Sequence, residues 1–452
     1  MKRVWRRGLV PMAIGITCLI LVGEFTQAQT VNEFTLKQAT DYAIKNSVQV
    51  RNALIDLKIQ QQTNRELTAA AYPQLNGSVS LNDYLEIPTS LVPAGFTGGT
   101  PGSYIPFKFG TQYNASAGFD LSQLLFDGQV FVGLKARKTA LEFSSKQADI
   151  TAEMIKVNVI KIYYQLVVGR QQLSSVDANI SRFEKLLSDT KEIYKNGFAE
   201  KLDVDKVNVQ LNNLLTEKLK IDNQLEAGNA GLKFLMNMPQ TEILILKDTL
   251  SEDQVKDNLL DASYQYNNRK EYQALELARD LGKFNVRRYQ LSYLPTLAVF
   301  GNYSKNAQRR EFNFTKSGSD YPWFTTALVG IKLNVPIFDG FAKAARVSKA
   351  RLELEKTTNS LEQLKSSIDN DVAQARLKIS SALATMDNQR RNMQLAEQVF
   401  NSTKLKYDQG LGSNQEIYNA QTELKVAQNN YYSALYDAII AKIDFEKAIG
   451  TL

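Results

Sequence analysis

The chain has 452 residues with no histidine, one cysteine, and 54 basic against 47 acidic side chains, a formal charge of +7. This composition excludes intrachain disulfides, imidazole bases and the zinc sites that depend on histidine and paired cysteines. Lysine and arginine are scattered rather than clustered, so the charge pattern does not indicate nucleic-acid binding.

The first 28 residues are predicted to be a secretory signal peptide. Four basic residues precede an apolar stretch of about fourteen residues, and small and polar residues follow at positions 26–29. The stretch is shorter than the roughly 20 residues of a membrane-spanning helix, and an uncleaved anchor helix is the alternative. Cleavage would remove Cys18 together with four basic residues and Glu24, which leaves 50 basic and 46 acidic residues.

An internal repeat organises the remaining residues, 29–452, which we expect to form one unit. The tripeptide Phe126-Asp127-Gly128 returns as Phe338-Asp339-Gly340, and each copy precedes a long helical pattern. The period greatly exceeds the 20–50 residues of solenoid repeats, so it indicates a duplicated half-molecule. The two tandem repeats are predicted at about 34–237 and 254–450. Each is expected to run helix, strand, loop, strand, long helix, tight turn, helix.

In chain order, the first predicted helix covers residues 34–72 and is ended by Pro73, which lacks the N–H that a helix needs. Alternation of apolar and polar residues then predicts strands at about 78–87 and 112–122, on either side of a loop over 88–111 that is rich in proline and glycine. The second half repeats this pattern, with strands at about 296–304 and 326–335 around a loop at 305–322.

Each predicted strand has one apolar and one polar face, which is typical of strands that cross an outer membrane. A half-buried soluble antiparallel sheet gives the same alternation and is the alternative. Aromatic residues gather near the strand ends and favour the membrane: Tyr104, Phe107, Phe109, Phe126, Tyr321, Trp323, Phe324 and Phe338. Because four strands cannot close a barrel and open edges are costly in lipid, membrane insertion would require an oligomer that shares one barrel.

Long helices are predicted over Gln129–Asn196 and Phe341–Gln409, each extending roughly 100 Å. Apolar residues recur at spacings of three and four along both, which indicates coiled-coil packing. Each helix ends before a glycine suited to a left-handed conformation, Gly197 or Gly410. Returning helices at about 202–236 and 414–449 would complete two helical hairpins with tips at 197–201 and 410–414.

The ordered, duplicated set of these features resembles the TolC family of outer-membrane efflux channels. The features are the helix ends at Ala71-Tyr72-Pro73 and Leu294-Pro295, the two Phe-Asp-Gly turns and the two tips. The resemblance implies a mostly α fold with a β-barrel part. In this fold, helical hairpins form a periplasmic α-barrel, and four strands per chain join a shared 12-stranded transmembrane barrel in a homotrimer. It also implies an outer-membrane location extending into the periplasm, contact with outer-membrane lipid, and a periplasmic adaptor that links the channel to an inner-membrane transporter of RND or ABC type.

The resemblance also assigns roles to individual residues. A gate at the periplasmic entrance would involve Asp203, Tyr407, Glu416 and Asn419, with Gly412 where some members have an arginine. The adaptor-docking tips would contain Gly197, Phe198, Lys201, Gly410, Leu411 and Gly412. The alternative for Asp203 and Glu416 is that acidic residues in the first turn of a helix stabilise its dipole.

The resulting function is a passive exit duct for small molecules or proteins, without cofactor, metal or nucleic-acid partner. The absence of histidine and of a phosphate-binding Gly-Lys-Ser/Thr motif argues against an enzyme. A periplasmic coiled-coil adaptor is one alternative, although it would usually have a single hairpin. A secreted structural coiled coil is another, and it would leave the strand alternation unexplained.

Overall fold

The structure is a computed structural model that describes residues 31–98, 100, 102–249, 263–316 and 318–452. The predicted signal peptide, Cys18 and the predicted start of the second repeat at residue 254 lie outside the described residues. The helices are α1 (Leu36–Asn46), α2 (Val48–Ala69), α3 (Gly128–Lys195), α4 (Lys201–Met236), α5 (Lys270–Leu291), α6 (Ala342–Asp408) and α7 (Asn414–Ile449). The strands are β1 (Val31–Phe34), β2 (Gln74–Asp83), β3 (Thr89–Pro93), β4 (Tyr104–Lys108), β5 (Tyr113–Phe126), β6 (Ile243–Leu246), β7 (Thr296–Arg309) and β8 (Phe324–Asn334).

The two long helices and their returning partners are confirmed with bounds within one residue of the prediction. The repeated Phe-Asp-Gly turn explains where the long helices begin. The Asp127 carboxylate accepts a hydrogen bond from the Gln129 backbone at 2.8 Å, and Asp339 accepts one from the Lys343 backbone at 2.9 Å. Both aspartates satisfy backbone donors that a helix start leaves unpaired. The division of the chain into two repeats stays a prediction.

The four predicted strands form one antiparallel sheet in the order β2-β5-β7-β8. The register pairs Leu75 with Leu121, Phe119 with Tyr303, and Val299 with Ile331. Odd-numbered residues therefore share one face of the sheet and even-numbered residues share the other, up to a bulge in β5 between Leu124 and Phe126, where the register shifts. The polar face and the apolar face that the sequence predicts are thus continuous across all four strands.

The predicted loops were too long. Residues 88–111 contain a small hairpin in which Thr89 of β3 pairs with Lys108 of β4, and Pro93 pairs with Tyr104. Two aromatics expected at the ends of the sheet strands, Tyr104 and Phe107, therefore belong to this hairpin, and Phe109 directly follows it. In the second half, β7 continues to Arg309, five residues beyond the predicted end, because its ladder with β5 continues to Tyr113.

The predicted first helix is also interrupted. Ser47 has extended torsions, φ −54° and ψ 131°, and separates α1 from α2. The break lets α1 bury Ala39 and Ala43 in a core with α3 and α4, whereas α2 follows α3 toward the sheet with a mostly exposed surface. A single straight helix could not make both sets of contacts. The short parallel pair β1–β6 was not predicted, because four residues are too few for a reliable alternation.

The predicted seams lie in the cores between helices. On α3, Val176, Ile180, Phe183 and Leu187 are buried in a cluster that also contains Phe400 of α6. A separate cluster joins α3 to α7 nearer the sheet. Within the part of the chain that the structure describes, no helix combines the length and apolar character needed to cross a membrane.

Candidate functional site

The two hairpin tips have the same backbone geometry. Gly197 and Gly410 take left-handed torsions, with φ of 81° and 73°. At the first tip, the Gly197 N–H donates to Tyr194 and the Phe198 N–H donates to Ile193 at 3.0 Å. At the second, Gly410 donates to Tyr407 and Leu411 donates to Lys406 at 2.9 Å. Both tips are Schellman motifs, so the conformation predicted for these glycines is confirmed.

Each tip presents one bulky apolar side chain to the surroundings of the chain. Phe198 is 86% exposed, and Leu411, at the equivalent position, is 79% exposed. Lys201 opens the following helix and is exposed. Gly412 is tightly placed, because an added Cβ would lie 3.1 Å from the Tyr407 backbone nitrogen. The tips therefore combine a constrained backbone with exposed apolar groups, an arrangement suited to a packing contact with a partner.

Asp203 caps its own helix. Its carboxylate accepts a hydrogen bond from the Glu200 backbone N–H at 3.3 Å, and the Asp203 N–H donates to the Glu200 carbonyl at 3.1 Å. Asp203 thus lies in the first turn of α4, where the sequence left stabilisation of the helix dipole as the alternative to a gate, and it also completes a capping box. The gate role of Asp203 stays a prediction.

Tyr407 lies half-buried at the end of α6, beside a cavity of about 210 Å³ between α3, α6 and α7. Burial raises the pKa of its phenol, and the Thr190 side chain, which lies against it, opposes that shift. The carboxylates of Asp189, Asp408 and Asp203 add to the rise in this pKa. The structure therefore brings two of the predicted gate residues, Tyr407 and Asp203, within electrostatic reach of each other, with the phenol neutral.

Glu416 and Asn419 lie on an exposed part of α7. The Glu416 backbone N–H donates to the Ser413 hydroxyl at 3.2 Å, which caps the helix. Asn419 accepts a hydrogen bond from Gln415 at 2.8 Å, and Gln415 in turn accepts one from Lys206 of α4 at 3.3 Å. Among the described residues, no ion pair joins Glu416 or Asp203 to another helix. The four predicted residues are thus near the tips but do not form one network.

Sequence reasoning missed an ion pair that joins the two hairpins. Glu217 of α4 pairs with Lys425 of α7 at 2.6 Å and accepts a hydrogen bond from Asn429 at 2.6 Å. No local signal pairs these residues, because they lie more than 200 positions apart and belong to surfaces rich in similar side chains.

The sheet forms the other part of the candidate site. Its even-numbered face carries hydrogen-bonded polar pairs, including Ser80 with Ser116 at 2.8 Å and Asn302 with Asp120 at 2.7 Å. Its odd-numbered face is apolar and exposed in the single chain, with Val79 at 84% and Val329 at 83%. The outer edges of β2 and β8 pair with no other strand among the described residues. An open sheet with one wet and one apolar face is suited to completion by further strands in a membrane.

Comparisons with known proteins agree with this architecture. Residues 263–451 match the family model described as "Outer membrane efflux protein". The chain is 22% identical over 342 residues to the outer membrane protein TolC of Vibrio cholerae, which covers 75% of this chain and 77% of that protein. The chain is thus similar to outer membrane efflux proteins, by the family match over residues 263–451 and by its likeness to TolC over three quarters of its length. These comparisons confirm the resemblance to the TolC family that the sequence predicts. They also confirm the outer-membrane location, with the helices extending into the periplasm.

Two further comparisons extend this description. The chain is 22% identical over 330 residues to the alkaline protease secretion protein AprF of Pseudomonas aeruginosa, covering 71% of the chain and 66% of that protein. Its fold matches the solved structure of the channel protein CusC with a TM-score of 0.74 at 16% identity, over 99% of both chains. The predicted mostly helical, TolC-like fold is therefore confirmed for the described residues, whereas the shared 12-stranded barrel and the trimer stay predictions. The family model that matches describes efflux proteins rather than enzymes.

Proposed function

We propose that this protein is a passive exit duct that assembles as a homotrimer. The observation that carries this proposal is the open four-stranded sheet, whose two unpaired edges flank continuous apolar and polar faces. Three copies would supply twelve strands, enough to close a barrel around a water-filled channel. The apolar faces would then meet lipid and the polar faces would line the lumen.

The helical hairpins continue this duct into the periplasm in the proposed assembly. At 1.5 Å per residue, a helix the length of α3 or α6 extends about 100 Å. Six hairpins from three copies would surround a lumen lined by the polar faces of the helices. Asp203, Tyr407, Glu416 and Asn419 would lie near its periplasmic entrance, where we propose that they contribute to the gate.

We propose that the tips dock onto a periplasmic adaptor, which connects the duct to an inner-membrane transporter of RND or ABC type. The exposed Phe198 and Leu411 support this contact. Substrates would be the small molecules or proteins that such a transporter delivers. The similarity to AprF, a protein named for alkaline protease secretion, supports proteins as one class of substrate. The duct itself would perform no catalysis and hold no cofactor.

The first test is the native mass of the detergent-extracted protein, measured by light scattering with correction for bound detergent. We expect three copies, and purified trimers should conduct ions in planar bilayers. A monomer that is soluble without detergent would refute the shared barrel and favour a periplasmic coiled-coil protein.

The docking proposal is tested separately by crosslinking to a co-expressed periplasmic adaptor. Charge reversal by Lys201→Glu and the pair Phe198→Ser with Leu411→Ser should each reduce crosslinking without changing the trimer mass. Undiminished crosslinking of both variants would remove the tips from the contact.

A further inference from the structure

A cavity of about 400 Å³ lies on the polar face of the sheet, at the end of the strands that is farthest from the long helices. One side of it is formed by the chain at the base of the β3–β4 hairpin, including Tyr84, Pro88 and Phe109. The Tyr84 N–H donates to the Gln112 carbonyl at 2.8 Å, and the Phe109 N–H donates to the Pro88 carbonyl at 3.3 Å. These bonds hold the base of the hairpin beside the sheet.

The floor of this cavity consists of polar side chains from three neighbouring strands. All six have even numbers, and the register arranges them in two rows that each cross β2, β5 and β7. The first row is Ser80, Ser116 and Asn306, and the second is Asn82, Asn114 and Gln308. Among the described residues that line the cavity, none carries a charge. The floor is therefore a neutral surface of hydroxyl and amide groups.

Hydrogen bonds within the protein orient part of this floor. The Asn114 amide donates to the Thr111 carbonyl at 3.1 Å and accepts from the Thr111 hydroxyl at 3.3 Å. The hydroxyls of Ser80 and Ser116 are 2.8 Å apart and bond to each other. Because these groups are already ordered, a ligand that binds them has less side-chain entropy to remove.

Two amides at the ends of the second row are available to a ligand. Asn82 and Gln308 are exposed, and their side-chain amides form no hydrogen bond to another described residue. Each amide offers two donors and an acceptor. Neighbouring side chains in such a row lie about 5 Å apart. With Asn114 between them, the three amides can donate to and accept from successive groups of one ligand.

Aromatic rings lie beside the amides. Tyr84 is 39% exposed and Phe109 is 54% exposed, and both line the cavity. The Phe109 ring packs on that of Phe107, with centroids 4.8 Å apart, which supports its position. The cavity therefore combines apolar ring surface with neutral hydrogen-bonding groups.

This combination distinguishes between classes of ligand. An ionic ligand would lose its hydration without meeting a charge in the lining. Extended peptides bind along open strand edges, but β5, at the centre of the floor, is paired on both sides. A neutral saccharide has hydroxyl groups that both donate and accept, and it has C–H faces that pack on aromatic rings.

We propose that this cavity binds a neutral saccharide, with Asn82, Asn114 and Gln308 on its hydroxyl groups and Tyr84 and Phe109 against its ring faces. The volume lies within the range of small-molecule sites, roughly 300–1,000 Å³. A single chain forms the site, so the proposal goes beyond the proposed function. In the proposed duct the site lies in the lumen near its outer mouth. The saccharide is then part of a molecule leaving the cell or of a glycan outside it.

Binding is measured on the full-length protein in a detergent without a sugar headgroup, since a maltoside would compete. The probes are maltotriose, cellotriose and triacetylchitotriose, which are neutral and differ in their linkages. Saturation-transfer NMR detects the contact, and calorimetry gives the dissociation constant. We expect at least one probe to bind with an affinity that is independent of salt, because no charge takes part.

The variants Asn82→Ala and Gln308→Ala each remove one exposed amide. Each should weaken binding about two- to tenfold, the effect of losing one neutral hydrogen-bonding partner. Phe109→Ala should weaken binding at least as much. The matched control is Asn76→Ala, because Asn76 lies on the same strand and face as Asn82 but outside the cavity. This control should leave the affinity unchanged, and the native mass of each variant checks its assembly.

The saccharide site is refuted if none of the three probes binds, if the control weakens binding as much as Asn82→Ala, or if the affinity falls steeply with salt. Planar bilayers then distinguish the two sources of ligand. Interruption of the ion current by a probe on the helix side assigns the site to saccharides in transit. Interruption only from the strand side assigns it to glycans outside the cell.

The same recordings separate this proposal from that of the duct. A current that no probe alters, although the probes bind in detergent, would overturn the position of the site in the lumen. Chains that conduct no ions would refute the duct, whereas binding in detergent would still decide on the saccharide site.

Discussion

The two helical hairpins are nearly identical in length and tip geometry, yet they are buried very differently. Along α3, buried residues occupy several faces, because this helix packs against α2, α4, α5 and α7. Along α6, the central buried residues follow a single seam: Leu361, Ile368, Val372, Ala375, Ile379 and Met386. That seam has the spacing of a coiled coil, and its helix packs mainly on α5 and α7. Similar local patterns therefore produce similar helices, while the neighbours decide how much of each helix is buried.

The largest loss of stability is expected from substitutions in the apolar core that the two hairpins share. Phe183 of α3 is 1% exposed and Phe400 of α6 is 4% exposed, and both belong to the same cluster. Each Phe→Ala substitution should lower the free energy of unfolding by about 3–5 kcal/mol, through lost burial and a new cavity. Urea unfolding in detergent would measure this decrease in the free energy of unfolding.

A matched control for these substitutions is Leu395→Ala, because Leu395 is 60% exposed in the chain. The double variant of the two phenylalanines should cost less than the sum of the single variants, since neighbours in one core are coupled. Strict additivity would indicate that the hairpins have separate cores.

The next largest loss of stability is expected in the sheet, where β5 from the first half of the chain pairs with β7 from the second half. A Cβ at Gly118 would lie 2.6 Å from the Ser304 Cβ and 2.7 Å from the Tyr303 carbonyl oxygen. Gly118→Val should therefore cost about 1–3 kcal/mol through overpacking and reduce the yield of folded oligomer. Semi-denaturing electrophoresis would follow the oligomer. Gly301→Ala is the control, since its Cβ would meet its nearest neighbour at 3.6 Å.

Substitutions of the two tip glycines should lower the free energy of unfolding by equal and smaller amounts. Gly197→Ala and Gly410→Ala each place a side chain at a positive φ where no other atom lies within 4 Å, so the cost is the backbone strain alone. We expect about 1–2 kcal/mol for each variant, measured as a shift in the unfolding midpoint. Unequal costs would contradict the equivalence of the two tips.

The smallest effect depends on pH and concerns Asp444 of α7, which pairs with Lys161 of α3 at 2.6 Å and Lys378 of α6 at 3.2 Å. Burial acts to raise the pKa of this carboxyl, but hydrogen bonds and charge interactions with both lysines outweigh it and lower the pKa. A lowered folded-state pKa contributes stability above the unfolded value and loses it as the carboxyl is protonated. Asp444→Asn should thus cost about 1 kcal/mol at pH 7. The difference from the unaltered chain should shrink below about pH 3.9. A constant difference over this range would show that the charge of Asp444 is irrelevant.

Local sequence determined the elements of this protein. Asp127 and Asp339 begin the long helices, Gly197 and Gly410 end them, and period-two alternation assigns the faces of the four sheet strands. These signals act over a few residues, through capping bonds, backbone torsions and side-chain direction, so they can be read without the rest of the chain.

Only the tertiary structure decided the remaining features. It placed the break at Ser47, paired residues 89–93 with residues 104–108, buried α3 more than α6, and joined Glu217 to Lys425. Each depends on which surfaces meet across long distances in the chain. Many glutamates and lysines on the helices have the same local setting as Glu217 and Lys425, and only packing of the two hairpins selects the pair that is shielded from water.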